Sequence, residues 1–168
     1  MGDEPKRQHL FISHHHKDDA EVSKLTTMLN DRGWDVRNSS IRVKPANQER
    51  LDKKQIPEKT LKRLLRMKIS WATSVVVLIG KETHSREWVN WEIEQAHKQG
   101  KNIVGVFARG AKESDVPEIL RTKYASNIVG WNSKNIMDAI EGRSSGVFET
   151  PEGVPREPIL TSSRTNCA

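Results

Sequence analysis

An unbroken apolar run from Val75 to Ile79 constrains the fold of this chain more than any other feature of its sequence. The run shows no alternation of apolar and polar residues, and it stops at Gly80. This pattern is typical of a strand that is buried on both faces, as strands of parallel sheets are. We therefore expect the chain to fold around a parallel sheet that helices cover on both sides.

The segment after this strand predicts a helix with an unusually placed carboxylate. At about 100° per residue, one stripe of the helix is apolar and consists of Val89, Ile93 and Ala96. Glu92 falls inside the same arc, whereas Glu87 and Glu94 fall on the opposite, solvent-facing side. Two interpretations remain open for Glu92. It is held on the packed face at a ligand site, or it lies at the edge of the stripe and either snorkels to solvent or caps a neighbouring backbone group.

Strand and helix patterns alternate along the rest of the chain. The predicted strands are residues 9–13, 34–37, 75–79, 102–107 and 128–131, with helical patterns between them. Alternation of this kind predicts an α/β fold. We expect a flavodoxin-like three-layer sandwich, with a five-stranded parallel sheet of order 2-1-3-4-5. Its topological switch point, where such sheets bind ligands, then lies between the first and third strands.

Positive charge is concentrated between residues 42 and 68. The chain carries a net charge of +6, and this segment contains ten basic residues against three acidic ones. Such a patch can bind nucleic acid, an acidic partner or nucleotide phosphates, or it can be a solvated helix face. No nucleic-acid-binding motif accompanies it, so we do not expect nucleic acid as a partner.

We interpret residues 38–56 as a long loop. The helix that Pro57 opens has a predicted buried stripe of Leu61, Leu64, Leu65 and Ile69.

Length and composition indicate one folded domain within the 168 residues. We expect an N-terminal arm at residues 1–7, the domain at 8–142 and a proline-containing tail at 143–168. The tail is either disordered or docked as an extended strap, and we expect it to contribute little to the core.

No apolar run approaches the ~18 residues of a membrane span, and the N-terminus lacks the apolar region of a signal peptide. These features predict a cytoplasmic protein with no membrane association.

The residues at the predicted switch point exclude several chemistries. Three consecutive histidines, 14–16, follow the first strand, but adjacent side chains point in different directions, so we expect no metal. One histidine is expected to face the crevice while the others are solvated.

Cys167 is the one cysteine, which excludes an intramolecular disulfide and a cysteine ligand set. No glycine-rich phosphate-binding motif and no serine-hydrolase elbow is present.

Two motifs at these strand ends resemble those of TIR (Toll and interleukin-receptor) domains. Residues 11–14, Phe-Ile-Ser-His, resemble the opening motif of that family. The segment from Val75 to Ile93 resembles its later signature, in which a glutamate follows a tryptophan by four residues, as Glu92 follows Trp88. The resemblance covers residues 8 to 141. In particular, it points to the prokaryotic TIR-like proteins of the Thoeris anti-phage system, in which this signature also carries Trp-Val.

The resemblance implies an enzyme that hydrolyses or cyclises NAD. Glu92 is then the catalytic residue, NAD is the substrate, and no further cofactor is needed. The product implied is an ADP-ribose-derived signal that activates a separate effector protein, and the active form is expected to be a homo-oligomer. The Arg-Asp-x-x-Pro-Gly loop of animal TIR domains is absent, so animal-type adaptor contacts are not expected. The alternative is a TIR-type interaction module without enzymatic activity.

Further residues are candidates for substrate binding. Ser13, His14 and Ser85 lie at the predicted strand ends and are expected to line the same cleft as Glu92. Trp88, the signature tryptophan, is a fourth candidate. Arg37 is the last residue of the predicted second strand and is expected to contact the diphosphate of NAD through charge-assisted hydrogen bonds.

Overall fold

The structure is a computed structural model that describes residues 8–15, 18–38, 57–81, 83–120, 127–142 and 147–155. Three predicted segments lie wholly or partly outside the described residues: the arm at 1–7, nearly all of the loop at 38–56, and the tail in its residues 156–168.

The described elements alternate between strand and α-helix as far as the fourth strand, and a short 3-10 turn lies between the fourth and fifth strands. The strands are β1 (Gln8–Ser13), β2 (Trp34–Asn38), β3 (Ser74–Ile79), β4 (Asn102–Phe107) and β5 (Asn127–Val129). The α-helices are α1 (Asp19–Asp31), α2 (Glu58–Trp71), α3 (Glu87–Lys98) and α4 (Ser133–Ile140). Short 3-10 turns at Thr83–Ser85 and Glu113–Asp115 follow β3 and β4.

The five strands form one parallel sheet in the order β2-β1-β3-β4-β5, as the sequence predicted. β1 therefore lies between β2 and β3, and Ser13 at its end is paired with Val77 of β3. β3 is the central strand, and all six of its residues are buried. This burial on both faces is what the apolar run predicted.

Two apolar layers cover the sheet. On one face, α2 and α3 pack against alternate strand residues such as Phe11, Val77 and Phe107. On the other face, α1 and α4 pack against the intervening residues, such as Ile12 and Val106. Alternation of side chains across each strand divides the core in this way. The result is the three-layer sandwich that the sequence predicted.

The buried stripe of α2 is narrower than predicted. Leu61, Leu65 and Ile69 are buried, but Leu64 is 38% exposed. Leu65 and Ile69 lie about 40° and 80° to one side of Leu61, whereas Leu64 lies about 60° to its other side. Leu64 is therefore turned out of the contact with the sheet, and its prediction as a core residue was wrong.

The segment 147–155 packs against the edge strand β5. Phe148 is 7% exposed and belongs to the core layer under α2 and α3. The backbone of Ile128 accepts a hydrogen bond from Glu149 N at 2.8 Å, and Ile128 N donates to Val147 O at 3.0 Å. Phe148 thereby forms a parallel bridge with Ile128 beside the free edge of the sheet. The expectation that the tail contributes little to the core is contradicted for these residues.

We predict that Phe148→Ala destabilises the fold. Truncating a buried phenylalanine typically lowers the free energy of unfolding by about 3 kcal/mol or more, because a cavity remains. For a chain of this size, that corresponds to a thermal midpoint lower by about 6–12 °C. Val154→Ala, in the same segment but with Val154 57% exposed, should shift the midpoint by at most about 2 °C. Equal midpoints for the two variants in a thermal melt would show that Phe148 does not dock.

Candidate active site

Ser13 and Glu92 meet at the carboxyl edge of the sheet. Ser13 is the last residue of β1, and Glu92 lies in the second turn of α3, the helix that follows the neighbouring strand β3. The Ser13 hydroxyl donates a hydrogen bond of 3.1 Å to Oε1 of Glu92. Both residues have an exposed fraction of 0%. The pair lies beside the switch point, where open parallel sheets bind their ligands.

The complete burial of Glu92 excludes the interpretation in which its side chain snorkels to solvent. A snorkelling carboxylate would reach solvent, and this one does not. Glu87 and Glu94 on the same helix are exposed, as the helical phase predicted. Placing a carboxylate among apolar groups costs free energy that a leucine or methionine at the same position would not. A buried carboxylate at a ligand-binding edge is therefore a functional-site candidate.

The connection from β3 to α3 is held by Thr83. The Gly80 amide donates to Thr83 Oγ1 at 2.8 Å, and the Thr83 amide donates back to Gly80 O at 3.2 Å. The amide of Arg86, the residue that precedes α3, donates to Thr83 O at 3.2 Å. Thr83 is fully buried. This turn fixes where α3 begins and hence the height of Glu92 above the sheet. Sequence reasoning did not identify Thr83, because its role depends on the turn conformation.

Asp18 approaches the same edge from the other side of the sheet. It immediately precedes α1, and its side chain does not cap that helix. A Cβ at position 80 would overlap the Asp18 carboxylate, so Gly80 is required for this close approach. The Asp18 carboxylate lies against the end of β3, across the switch point from α3.

The histidines after β1 are more buried than predicted. His14 and His15 are 1% and 5% exposed. The expectation that one of the three histidines faces the crevice while the other two are solvated is therefore wrong, because at least one of the two expected to be solvated is buried. Asp18 N donates to His15 O at 2.9 Å, which closes the turn between β1 and α1. His16 lies outside the described residues. In the described ranges, no three side chains of His, Cys, Asp or Glu are grouped so that they could hold a metal ion.

Arg37 lies against Trp71 in this structure. Its guanidinium carbon is 4.1 Å from the centre of the Trp71 ring, and His9 of β1 stacks on the same ring at a centroid distance of 4.1 Å and an interplanar angle of 9°. His9 and Ser13 are four residues apart on β1, which corresponds to about 13 Å. The structure therefore does not bring the guanidinium of Arg37 to the Ser13–Glu92 pair. A contact with a diphosphate there requires this side chain to leave Trp71.

Trp88 lies one turn before Glu92 on α3 but forms part of a separate aromatic surface. Its ring meets Trp91 edge to face at 5.9 Å, and Lys62 of α2 lies 6.0 Å from its centre. Trp88, Trp91 and Lys62, with Glu58 and Glu87, line a cavity of about 200 Å³ between the amino ends of α2 and α3. Neither Ser13 nor Glu92 lines this cavity.

Basic residues of α2 contribute to the same surface. Arg66 lies 5.5 Å from the Trp91 ring centre, and Lys62 lies 5.7 Å from it. Lys62 also forms a 3.0 Å ion pair with Glu58 one turn earlier. Part of the basic segment therefore packs on the tryptophans of α3 through cation–π contacts.

The predicted site residues thus fall into two groups. Ser13 is hydrogen-bonded to Glu92, and His14 is buried immediately after it. Ser85 is exposed at the end of the Thr83–Ser85 turn, on the connection between β3 and α3. Arg37 and Trp88 contact other aromatic residues instead. Their roles in substrate binding stay predictions.

Comparison with known proteins identifies relatives of this chain. The family described as "Thoeris protein ThsB, TIR-like domain" matches residues 11–113. A protein of Bacillus cereus (strain MSX-D12) named "Putative cyclic ADP-D-ribose synthase ThsB1" is 28% identical over 110 residues. The matched region covers 62% of this chain and 53% of that protein, so this chain corresponds to about half the length of the relative.

Two solved structures superpose on this chain at low sequence identity. The Clostridium botulinum CMP N-glycosidase BcmB superposes with a TM-score of 0.52 at 14% identity, covering 82% of this chain and all of that one. The TIR domains of the activated Roq1 resistosome superpose with a TM-score of 0.45 at 20% identity, covering 68% of this chain and 62% of that one. The likeness to BcmB is a likeness of fold.

In the described part of the chain, no helix combines the length and the apolar character needed to cross a bilayer.

We predict that Gly80→Ala destabilises the fold through Asp18. The added methyl group would overlap the Asp18 carboxylate, and overpacking of this kind costs about 1–3 kcal/mol. Chemical denaturation of Gly80→Ala, Asp18→Ala and the double variant measures this effect. Because Asp18→Ala removes the overlapping atoms, the double variant should recover at least about 1 kcal/mol of the cost. If Gly80→Ala costs as much in the Asp18→Ala background as in the wild type, the proposed contact is wrong.

Proposed function

This chain belongs to the Thoeris ThsB family of TIR-like domains, and we propose that it cleaves NAD at the bond between nicotinamide and ribose. The curated relative named as a cyclic ADP-D-ribose synthase supports this proposal. The product is an ADP-ribose-derived signal, and Glu92 is the catalytic residue.

One observation carries the proposal: the carboxylate of Glu92 is fully buried at the switch point and accepts a hydrogen bond from Ser13. Removing a carboxylate from water is costly, and the hydrogen bond from the Ser13 hydroxyl offsets part of that cost. Such a carboxylate is preorganised to interact with a group that develops positive charge or donates hydrogen bonds. The ribose of NAD offers both at the reacting carbon and its adjacent hydroxyls.

The chemistry needs little more than this carboxylate. As the glycosidic bond breaks, its electron pair leaves with the nicotinamide nitrogen, which becomes neutral, so no general acid is required. Positive charge develops on the ribose as an oxocarbenium ion, and a nearby carboxylate stabilises it. Water then adds to the cation and loses a proton, giving ADP-ribose. Alternatively, a nitrogen of the adenine ring attacks the cation, giving a cyclic product.

Substrate binding requires a rearrangement around Glu92. With both Ser13 and Glu92 fully buried, ribose reaches the carboxylate only when neighbouring groups move. A ribose hydroxyl then replaces the Ser13 hydroxyl as the donor to Glu92 Oε1, at little net cost in hydrogen bonds. His14 and His15 follow Ser13 directly and are buried, so they are among the neighbouring groups that must move. We expect the active form to be a homo-oligomer, in which contacts between copies favour the open arrangement.

The biological role that follows is anti-phage signalling. The nucleotide product would act on a separate effector protein. Both expectations derive from the family, and the site itself constrains only the first chemical step.

We predict that the purified protein releases nicotinamide from NAD and that Glu92→Gln lowers the rate about 100-fold or more. The substitution keeps the size of the side chain and removes its charge. Nicotinamide can be quantified by liquid chromatography after incubation with NAD. Glu94→Gln is the matched control, because Glu94 is exposed two residues away on the same helix. It should change the rate by less than about twofold.

Two results would contradict this assignment. An active preparation of Glu92→Gln that keeps its NAD turnover, or an equal loss of turnover in both variants, would remove Glu92 from the chemistry. No release of nicotinamide across a range of protein concentrations that includes assembled oligomers would favour a TIR-type interaction module instead.

A further inference from the structure

A second cavity lies at the carboxyl ends of β4 and β5. Its volume is about 380 Å³, compared with about 200 Å³ for the cavity between α2 and α3. Volumes of about 300–1,000 Å³ are typical of pockets that bind small molecules. Three chain segments line it: residues 108–110 after β4, residues 130–132 with Asn135 at the start of α4, and residues 151–153 of the docked tail.

This cavity is separate from the Ser13–Glu92 site. Ala108 and Trp131, which line it, belong to the core layer under α1 and α4. Glu92 lies on α3, which packs on the opposite face of the sheet. β1, which carries Ser13, is separated from β4 by β3. A ligand in this cavity therefore need not contact Glu92.

The docked tail gives the cavity a defined wall. Glu149 is 4% exposed, and its carboxylate accepts hydrogen bonds from Gly130 N and from Asn135 Nδ2, each at 3.1 Å. A Cβ at position 130 would come within 2.9 Å of Gly153 N, so the two backbones touch. Gly153 N donates to Thr150 O at 2.8 Å, which closes the turn of the tail. The wall is thus fixed by buried hydrogen bonds and backbone contact.

The lining combines three kinds of group that together suit a nucleotide. Arg109 supplies a cation, Trp131 a half-buried aromatic ring, and Glu152 an exposed carboxylate. An arginine binds phosphate through paired hydrogen bonds, and a tryptophan ring stacks on a nucleobase. A carboxylate accepts hydrogen bonds from ribose hydroxyls. The backbone at Gly110 and Gly153, where an added Cβ would meet no atom within 4 Å, allows a ligand to approach closely.

We propose that this cavity is a binding site for a mononucleotide, independent of the Glu92 site. Arg109 binds the phosphate, Trp131 stacks on the base and Glu152 binds the ribose. The volume lies at the low end of the range for ligand pockets, which suits one nucleotide better than an extended dinucleotide. Because residues 151–153 form one wall, nucleotide binding and docking of the tail stabilise each other.

Isothermal titration calorimetry of the full chain with AMP tests this proposal. We expect saturable binding of one AMP per chain, and Arg109→Gln should weaken it at least about tenfold, because a charge-assisted phosphate contact is lost. Arg32→Gln is the matched control. Arg32 is exposed after the end of α1, away from the cavity, and its substitution should leave the affinity unchanged. Quenching of tryptophan fluorescence by AMP should be lost in Trp131→Phe, which keeps an aromatic ring in the core.

Glu92→Gln separates this proposal from the proposed function. AMP binding needs no NAD turnover, and it should persist in Glu92→Gln with unchanged affinity. Absence of saturable AMP binding would overturn the proposal, and so would equal affinities for the wild type and Arg109→Gln. Loss of AMP binding in Glu92→Gln would show that the nucleotide occupies the Glu92 site instead, which also contradicts the proposal.

Discussion

The hydrogen bond between Ser13 and Glu92 joins the first strand of the sheet to the helix that follows the third strand. It can form only if β1 and β3 are neighbours, although about sixty residues separate them in sequence. The 2-1-3 strand order meets this condition, and the buried stripe of α3 sets the rotation of the helix that carries Glu92. Burial of the apolar side chains in the core offsets the free-energy cost of burying the carboxylate.

The parts of the fold that sequence predicted are those whose signal is local and strong. The runs at β3 and β4 have no polar interruption, and the bounds of β4, Asn102–Phe107, were as predicted. The helical phase placed Glu92 within the apolar arc of α3, but it left open whether the side chain is buried or snorkels to solvent, and only the structure shows its burial. Leu64 was wrongly predicted to be buried, because helical spacing does not show how wide a strip of the helix surface contacts the sheet.

The docked tail and much of the site depend on contacts that are distant in sequence. Residues 147–155 show no periodicity, and Phe148 is buried because β5 leaves a free edge beside it. Thr83 acts through a turn, and Asp18 acts through a close approach to Gly80. Neither contact produces a recognisable spacing of residues in the sequence. Arg37 was assigned from its strand end alone, while its actual neighbour, Trp71, comes from the end of α2.

One face of the sheet and its carboxyl edge carry different features. The face with α2 and α3 holds the buried carboxylate, and cation–π contacts of Lys62 and Arg66 with Trp91 tie these helices together. The carboxyl ends of β4 and β5 hold the larger cavity, which the tail completes. Cleavage of NAD at the first site and recognition of a nucleotide at the second would place two nucleotide-binding functions along one edge of the sheet.

A double-mutant cycle on NAD cleavage tests most directly whether Ser13 and Glu92 act as one unit. The rates of nicotinamide release are compared for the wild type, Ser13→Ala, Glu92→Gln and the double variant. If the hydroxyl acts by positioning the carboxylate, Ser13→Ala should slow the wild type but have almost no further effect once Glu92 is glutamine. If Ser13→Ala slowed both backgrounds by the same factor, the two residues would act independently, and this account of the site would be wrong.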